Sequence, residues 1–548
     1  MKKILSLVLV LMMMVAVSAY AVPSSQLVGE PDILKRNFGA NLTELPVTTD
    51  DVTLNVWRGL NSTIMTDWSQ NIMFTELENR TGVHVDWLIP PVGSEADNFN
   101  LRIATNDLPH MFWQTRDYWG SKSIDEAIED EIFLDITPYY EAGMTPNYKY
   151  LRDTYEDIAF DTILDSGRLG VFWQMDYVGT SPWSGFWVRQ DLLDAHGLEL
   201  PVTVADWENV LGTLYENGGY QLLFQAGANG GGGGDLDTHF GIFSAFDVGY
   251  RYYQVDGVIK YGPMEDGFKQ ALELLAKWYA NGWIDPDWAT YDWNGHCAAV
   301  ADPSKYSIFG LNYGEIAQAS VTARLTVPEF KMTPINGPVL EEGQELNLRQ
   351  YDFLIRSQYD ALTYACLEDG VDEVAMKWHD YFYSQDGGDL HSYGVEGITY
   401  QWNEDGVLEW LYQSPESVEY FPTVDVTDPT YDFWTLWPLF KSHNGAYLRD
   451  SGAQPMAPEV WECIAEWAKV TPSYGIPMTS FTAEESADYA NANTQCQDLV
   501  DEYVGKIING QEPVDAWDNV QQQLLSMGIE DCIEIQQTAY DRYMARGN

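Results

Sequence analysis

Residues 52–87 read VTLNVWRGLNSTIMTDWSQNIMFTELENRTGVHVDW. Val52, Leu54 and Val56 alternate with polar neighbours, the period of a strand with one covered face. Trp57 to Asn61 then makes a loop. Asp67-Trp68-Ser69 opens a helix carrying Phe74 and Leu77, and Thr81-Gly82 closes it. Val83-His84-Val85-Asp86-Trp87 is a second strand. The next unit repeats the theme, with a helix around Asn98–Thr105 leading into a strand, Leu108–Trp113. Strand and helix in alternation predict an α/β lobe built on a mainly parallel sheet.

A second α/β region begins near Leu169. Val171-Phe172-Trp173 reads as a strand and Phe186–Arg189 as another, entering a helix, Asp191–His196, that Gly197 stops. Pro201-Val202-Thr203 introduces a helix led by Asp206-Trp207. Phe268, Leu272, Leu275 and Tyr279 share one face of a long helix. Trp207 and Trp278, inside helices, are assigned to the core. The C-terminal part is helical: Leu499, Tyr503, Ile507 and Ile508 fit one amphipathic helix, and Trp517, Val520 and Leu524 fit the next. No short solenoid repeat is present. A chain of 548 residues exceeds one ordinary core, so two large lobes are expected. Residues 22–50, without clear periodicity, form a loose lead-in. The tract Gly230–Gly234 is followed by Asp235-Leu236-Asp237 rather than Lys-Ser or Lys-Thr, so it reads as a flexible loop and not a phosphate cradle.

The chain starts with Lys2 and Lys3, an apolar run from Ile4 to Val17, and Ser18-Ala19-Tyr20-Ala21. This is the pattern of a signal peptide over residues 1–21. A membrane anchor is the competing reading, but a span needs roughly 20 apolar residues. The first cysteine is Cys297, so no lipid-bearing Cys follows the cleavage site. The expectation is an exported soluble protein, periplasmic or extracellular, not lipid-anchored. The 83 acidic and 29 basic residues give a formal net charge of −54, which repels nucleic acid and anionic membranes. The same field disfavours strongly anionic ligands unless a local basic pocket overrides it. Cys297, Cys366, Cys463, Cys496 and Cys532 are odd in number and widely spaced, without metal-ligand spacing.

Several segments together resemble one family. ELENRTGVHV (Glu76–Val85), RIATNDLP (Arg102–Pro109), WVRQDLLDAHGLELPVTVADW (Trp187–Trp207), the stretch Val255–Pro286, YGVEGITY (Tyr393–Tyr400) and QTAYDR (Gln537–Arg542) occur in the same order as in the extracellular solute-binding proteins of family 1. The likeness is greatest to the long subgroup that includes alginate-binding proteins. It implies an α/β, periplasmic-binding-protein-like clamp of two lobes with hinge-crossing strands, here with extra C-terminal helices, the solute lying in the interlobe cleft. Lobe 1 is expected to comprise 51–168 and 345–425, and lobe 2 169–344 and 426–548. The calcium loop of long members is not carried over, because Tyr215–Tyr220 (YENGGY) lacks alternating oxygen ligands. No metal and no cofactor are expected.

With 21 Trp and 34 Tyr, the chain is rich in rings that stack on sugar C–H faces and bond hydroxyls. Many must be core, so position decides. Ligands of α/β lobes bind beyond the carboxyl ends of strands. That selects Trp57, Arg58 and Asn61 after the first strand, and Trp113 and Arg116 after the third. It also selects Trp173, Asp176 and Trp183 near the second region's start, then Phe246 and Tyr250 after the glycine tract. Trp293, Tyr313, Glu396, Trp402 and Trp434 complete the candidates. Each aromatic has core packing as its competing reading. A loop arginine offers a fork to a hydroxyl pair or a carboxylate, against a surface ion pair.

The function implied by the resemblance is the substrate-binding component of an ABC-type importer, a monomer that binds a sugar or oligosaccharide and delivers it to a membrane permease. The expected sugar is neutral or mildly acidic, given the field of the whole chain. The alternative class is an exported polysaccharide-active enzyme, a glycosidase or lyase. Glycosidases need two carboxylates across the bond, and 83 acids make such a pair uninformative. No GxSxG or HExxH signature is present.

Overall fold

The computed structural model describes residues 41–176, 182, 184–223, 241–290, 306–312, 327–349, 355–404, 408–428, 433–442, 447–448 and 458–546. In the first lobe, β1 (Val52–Trp57) runs parallel to β2 (Val83–Leu88) on one side and to β3 (Met111–Phe112) on the other. Leu54 and Val56 are fully buried, as the alternation predicts. The intervening helix Ile72–Thr81 starts at Asn71, whose side chain accepts from the Met73 N–H, and stops at Gly82 with φ 73°. A Cβ at Gly82 would stand 2.3 Å from the Thr48 carbonyl oxygen, so this stop takes glycine.

Three later strands complete the sheet. β4 (Phe172–Asp176), β11 (Ile355–Leu362) and β14 (Tyr447–Leu448) extend it in the order β14-β4-β11-β3-β1-β2. β11 is antiparallel to both β3 and β4. The expected boundaries at 168/169 and 425/426 therefore shift. Phe172–Asp176 and Tyr447–Leu448 hydrogen-bond into the first sheet, and Val426, Leu436, Leu439 and Phe440 pack in its core.

The second sheet has the order β10-β5-β9-β6, with β5 (Ser184–Arg189), β6 (Gln221–Leu223), β9 (Tyr306–Asn312) and β10 (Met332–Ile335). Only the β6–β9 pair is parallel. Hairpins β7–β8 (Tyr252–Val255, Val258–Tyr261) and β12–β13 (Tyr400–Trp402, Leu408–Trp410) stand apart. The helix Val204–Gly218 begins in a capping box of Thr203 and Asp206. Its Trp207 stacks on Trp278 with centroids 6.1 Å apart, both fully buried, as assigned. The helix Asp266–Ala280 buries Phe268, Leu272 and Leu275, with Tyr279 partly covered. On the helix Ala483–Ile508 the buried stripe is Cys496, Val500, Val504 and Ile507, with Leu499 and Tyr503 at its margin. Ile507 and Ile508 are buried as expected, whereas Leu499 and Tyr503 sit at the edge, because the helix packs against three others, Asp266–Ala280, Trp517–Ser526 and Ile529–Met544. Trp517, Val520 and Leu524 are buried as expected. No helix among the described residues is long and apolar enough to cross a membrane.

The end of the lead-in is docked rather than loose. The Leu42 N–H donates to Asn147 Oδ1 at 3.0 Å, and the Thr43 hydroxyl to Asp380 Oδ2 at 3.0 Å. Asp380, fully buried, also accepts from the N–H groups of Asn147 (3.1 Å) and Tyr148 (2.9 Å), at the start of the helix Pro146–Thr154. Burial pushes this carboxyl up to about 6, against the hydrogen bonds that favour its anion. A raised folded value means that its contribution is full below about pH 4 and is lost as pH rises through about 6. Chemical denaturation of wild type and Asp380→Asn at pH 4 and pH 7 checks this. The wild-type advantage should shrink by about 2 kcal/mol across that window; a constant difference contradicts it.

Candidate interlobe ligand site

The turn after β3 brings side chains to the carboxyl edge of the first sheet. The Thr115 hydroxyl donates to the Phe112 carbonyl at 2.8 Å, and the Thr115 N–H to the Tyr359 carbonyl at 2.8 Å. Gln114 takes a positive φ of 57°, and its N–H reaches Asp360 Oδ1 at 2.9 Å. This kink starts a single turn of helix, Arg116–Trp119, and aims Arg116 away from the sheet. On β4 and β11, Trp173 and Tyr359 are register partners and pack edge-on with centroids 5.0 Å apart.

Second-lobe residues close over this edge. Arg116 Nη1 donates to Met478 Sδ at 2.9 Å, and the Phe481 N–H to the Ser121 carbonyl at 2.9 Å. The resulting seam is lined by Arg116, Lys122, Asp161, Trp173 and Tyr359 on one side and by Met478–Ser480, Tyr543 and Arg546 on the other. Its cavity is about 40 Å³, room for a water molecule but not for a sugar ring. Among the described residues, the indole N–H of Trp173 is buried without a partner. An orphaned donor of this kind costs free energy unless something accepts from it.

A polar strut borders the seam. Asp165 accepts from Arg546 Nε at 2.7 Å, from Arg542 Nε at 3.4 Å and from the Ser480 hydroxyl at 3.1 Å. Arg542 is itself held by both oxygens of Glu485 at 2.6 Å. The Tyr543 hydroxyl donates to Asp161, and the Ala483 N–H to Glu126 Oε1 at 2.9 Å. The last helix, Ile529–Met544, thus belongs to the second core at its start and grips the first lobe at its end.

Of the candidates read from the sequence, Arg116 and Trp173 line the seam. Trp57 is instead fully buried, its indole donating to Asn98 Oδ1 at 2.8 Å and its ring edge-on to Phe99 and Phe112. Trp113 is fully buried on the opposite face, against Phe74, Trp378 and Phe382. Both are core because the strand-end residues still lie under covering helices. Arg58 is also buried, with its guanidinium 3.8 Å from the Trp68 ring centroid and 4.9 Å from that of Trp113. Its Nη2 donates to the Ser442 hydroxyl at 2.7 Å, and desolvation lowers it to about 9. Tyr250 is buried in the second core, with its hydroxyl 2.9 Å from Asp501 Oδ1. Phe246 is half-buried on a separate groove of that lobe with Tyr253 and Tyr474. Asn61 and Glu396 are exposed, and Trp402 is half-buried beside Tyr393 and Tyr400 in the β12 hairpin region. The side chains of Asp176 and Trp434, and residues Trp183, Trp293 and Tyr313, lie outside the described residues. Sequence reasoning missed Lys122, Met478, Tyr543 and Arg546, since no local pattern shows that the last helix reaches the other lobe.

Two sheets built from discontinuous chain segments, with a seam at the edge of one, give the two-lobed fold of solute-binding proteins. The comparisons agree. No family model matches the chain. It is 23% identical over 520 residues to the fructooligosaccharide ABC transporter substrate-binding protein FusA of Streptococcus pneumoniae serotype 4, covering 88% of this chain and 89% of that one. Its fold matches the crystal structure of the alginate-binding protein AlgQ2, with a TM-score of 0.67, 19% identity, and 90% of this chain and 99% of that one covered. It also matches a solute-binding protein associated with a human-milk-oligosaccharide (HMO)-binding ABC transporter of Bifidobacterium longum infantis, with a TM-score of 0.68, 16% identity, and coverage of 90% and 99%. Fold and full-length likeness agree with the resemblance to the extracellular solute-binding proteins of family 1.

Asp165→Asn should weaken the strut. Amide exchange measured by mass spectrometry over residues 540–546 should quicken about tenfold, while the β1–β2 pair stays unchanged. Unaltered exchange there would show that the strut does not hold the helix end.

Proposed function

We propose that this chain is the substrate-binding component of an ABC-type importer, holding a sugar or oligosaccharide in the seam between its lobes and handing it to a membrane permease. The observation that carries this reading is the seam itself. Trp173, with an unspent indole donor, lies beside Tyr359 and Arg116 at the carboxyl edge of the first sheet, and residues from the second lobe complete the wall. Aromatic rings beside hydrogen-bond donors suit a sugar's C–H faces and hydroxyls. Interlobe clefts are favoured ligand sites, and hinge closure around a solute is the motion of such proteins. The relatives named above carry fructooligosaccharide, alginate or HMO in their names, which supports a saccharide ligand.

Binding without cleavage is part of the same reading. The carboxylate on the seam, Asp161, is engaged by the Tyr543 hydroxyl, whereas glycoside hydrolysis calls for two carboxylates flanking the bond. Export is likewise proposed, supported by the Lys2–Ala21 pattern.

A thermal-shift screen of the purified protein against mono- and oligosaccharides, with product analysis of the hits, tests the reading. A saccharide should raise the melting temperature and be recovered intact, and Trp173→Phe should weaken its binding about tenfold. Turnover of the hit, or stabilisation by no saccharide at all, would overturn it.

A further inference from the structure

The chain carries nearly three acidic residues for each basic one, yet the seam reverses that balance. Among the described residues, its charged lining is Arg116, Lys122 and Arg546 against Asp161. Arg546 is committed to Asp165 at 2.7 Å. The other two cations are not committed. Among the described residues, no carboxylate stands within 4 Å of Arg116 or of Lys122, although Arg80, Arg102, Arg168, Arg251 and Lys260 all have one. Asp117, next in sequence to Arg116, is turned to the Gln358 amide. The one hydrogen bond of the Arg116 side chain goes to the Met478 thioether, a weak acceptor, and Lys122 Nζ rests 5.0 Å from the centroid of the Trp119 ring.

Resting on the saccharide-binding reading above, we propose that the seam selects a carboxylated sugar, a uronic-acid unit whose carboxylate is taken by the Arg116 fork and the Lys122 ammonium. A neutral sugar entering the seam strips water from both cations and returns only hydroxyl dipoles. A carboxylate returns a counter-charge and matches the guanidinium geometry with two parallel bonds. The orphaned Trp173 N–H adds a donor on the same side. The field of the whole chain repels anions at long range, but salt screens it within about 10 Å, so contact chemistry decides selection. The whole-chain charge, which favours a neutral ligand, is overridden locally by these residues.

Titration calorimetry with a panel of uronic-acid trisaccharides (galacturonate, glucuronate and mannuronate), each beside its carboxyl-reduced neutral counterpart, tests this. At least one acidic member should bind about tenfold or more tightly over its counterpart, and added salt should narrow the ratio. Arg116→Gln and, separately, the exposed Lys122→Gln should narrow it without lowering the melting temperature of the free protein. Equal or preferred binding of neutral sugars overturns the carboxylate selection and leaves the saccharide reading standing. Binding of neither class overturns both. An acidic preference untouched in both variants overturns the assignment to these two residues.

Discussion

The pairing of β11 with both β3 and β4 is the constraint on which the rest of the molecule depends. Because strands from residues 172–176 and 355–362 are neighbours in the first sheet, everything between them must leave that lobe and return. The addition of β14 beside β4 forces a second excursion, so each lobe is assembled from separated chain segments. The same strand builds the seam. Tyr359 and Asp360, adjacent on β11, point to opposite faces. Tyr359 meets Trp173 on the seam side, and Asp360 bonds the Gln114 N–H and His379 Nε2 on the other. Asp360 thereby holds the kink from which Arg116 projects.

Two arginines near the ends of parallel strands have come to different uses. Arg58, after β1, is enclosed by Trp68, Phe74 and Trp113, and burial lowers its proton affinity while Asp360 opposes that loss. It joins the first strand to Ser442, in the segment that leads to β14. Arg116, after β3, is half-buried, and its side chain donates to the Met478 thioether. The first is a cation spent on holding the fold, and the second lines the seam. Their sequence positions are equivalent, one or a few residues past a strand, and only the covering elements distinguish them.

That contrast shows what was legible in the residues. Periodicity gave β1, β2 and the helix between them, and it named the buried faces of the helices Asp266–Ala280 and Trp517–Ser526. Local punctuation was legible too: Gly82, Gly197 and Thr203 stop or start helices where their backbone chemistry requires. Strand-end position was a weaker guide. It pointed to Arg116 and Trp173, which line the seam, and to Trp57 and Trp113, which lie where helices roof the strand ends. The lobe boundary was misplaced because a short apolar strand such as Phe172–Asp176 carries no mark of which sheet it joins. Lys122, Tyr543 and Arg546 were invisible for a similar reason. They meet only through the long reach of the last helix across to Asp161 and Asp165.

A saccharide held between two lobes should draw them together, whatever its identity. Small-angle X-ray scattering of the protein, alone and saturated with a stabilising oligosaccharide, measures this directly. The bound form should have the smaller radius of gyration and a pair-distance distribution that loses its longest vectors. An oligosaccharide that binds tightly while leaving both unchanged would contradict a ligand seated between the lobes.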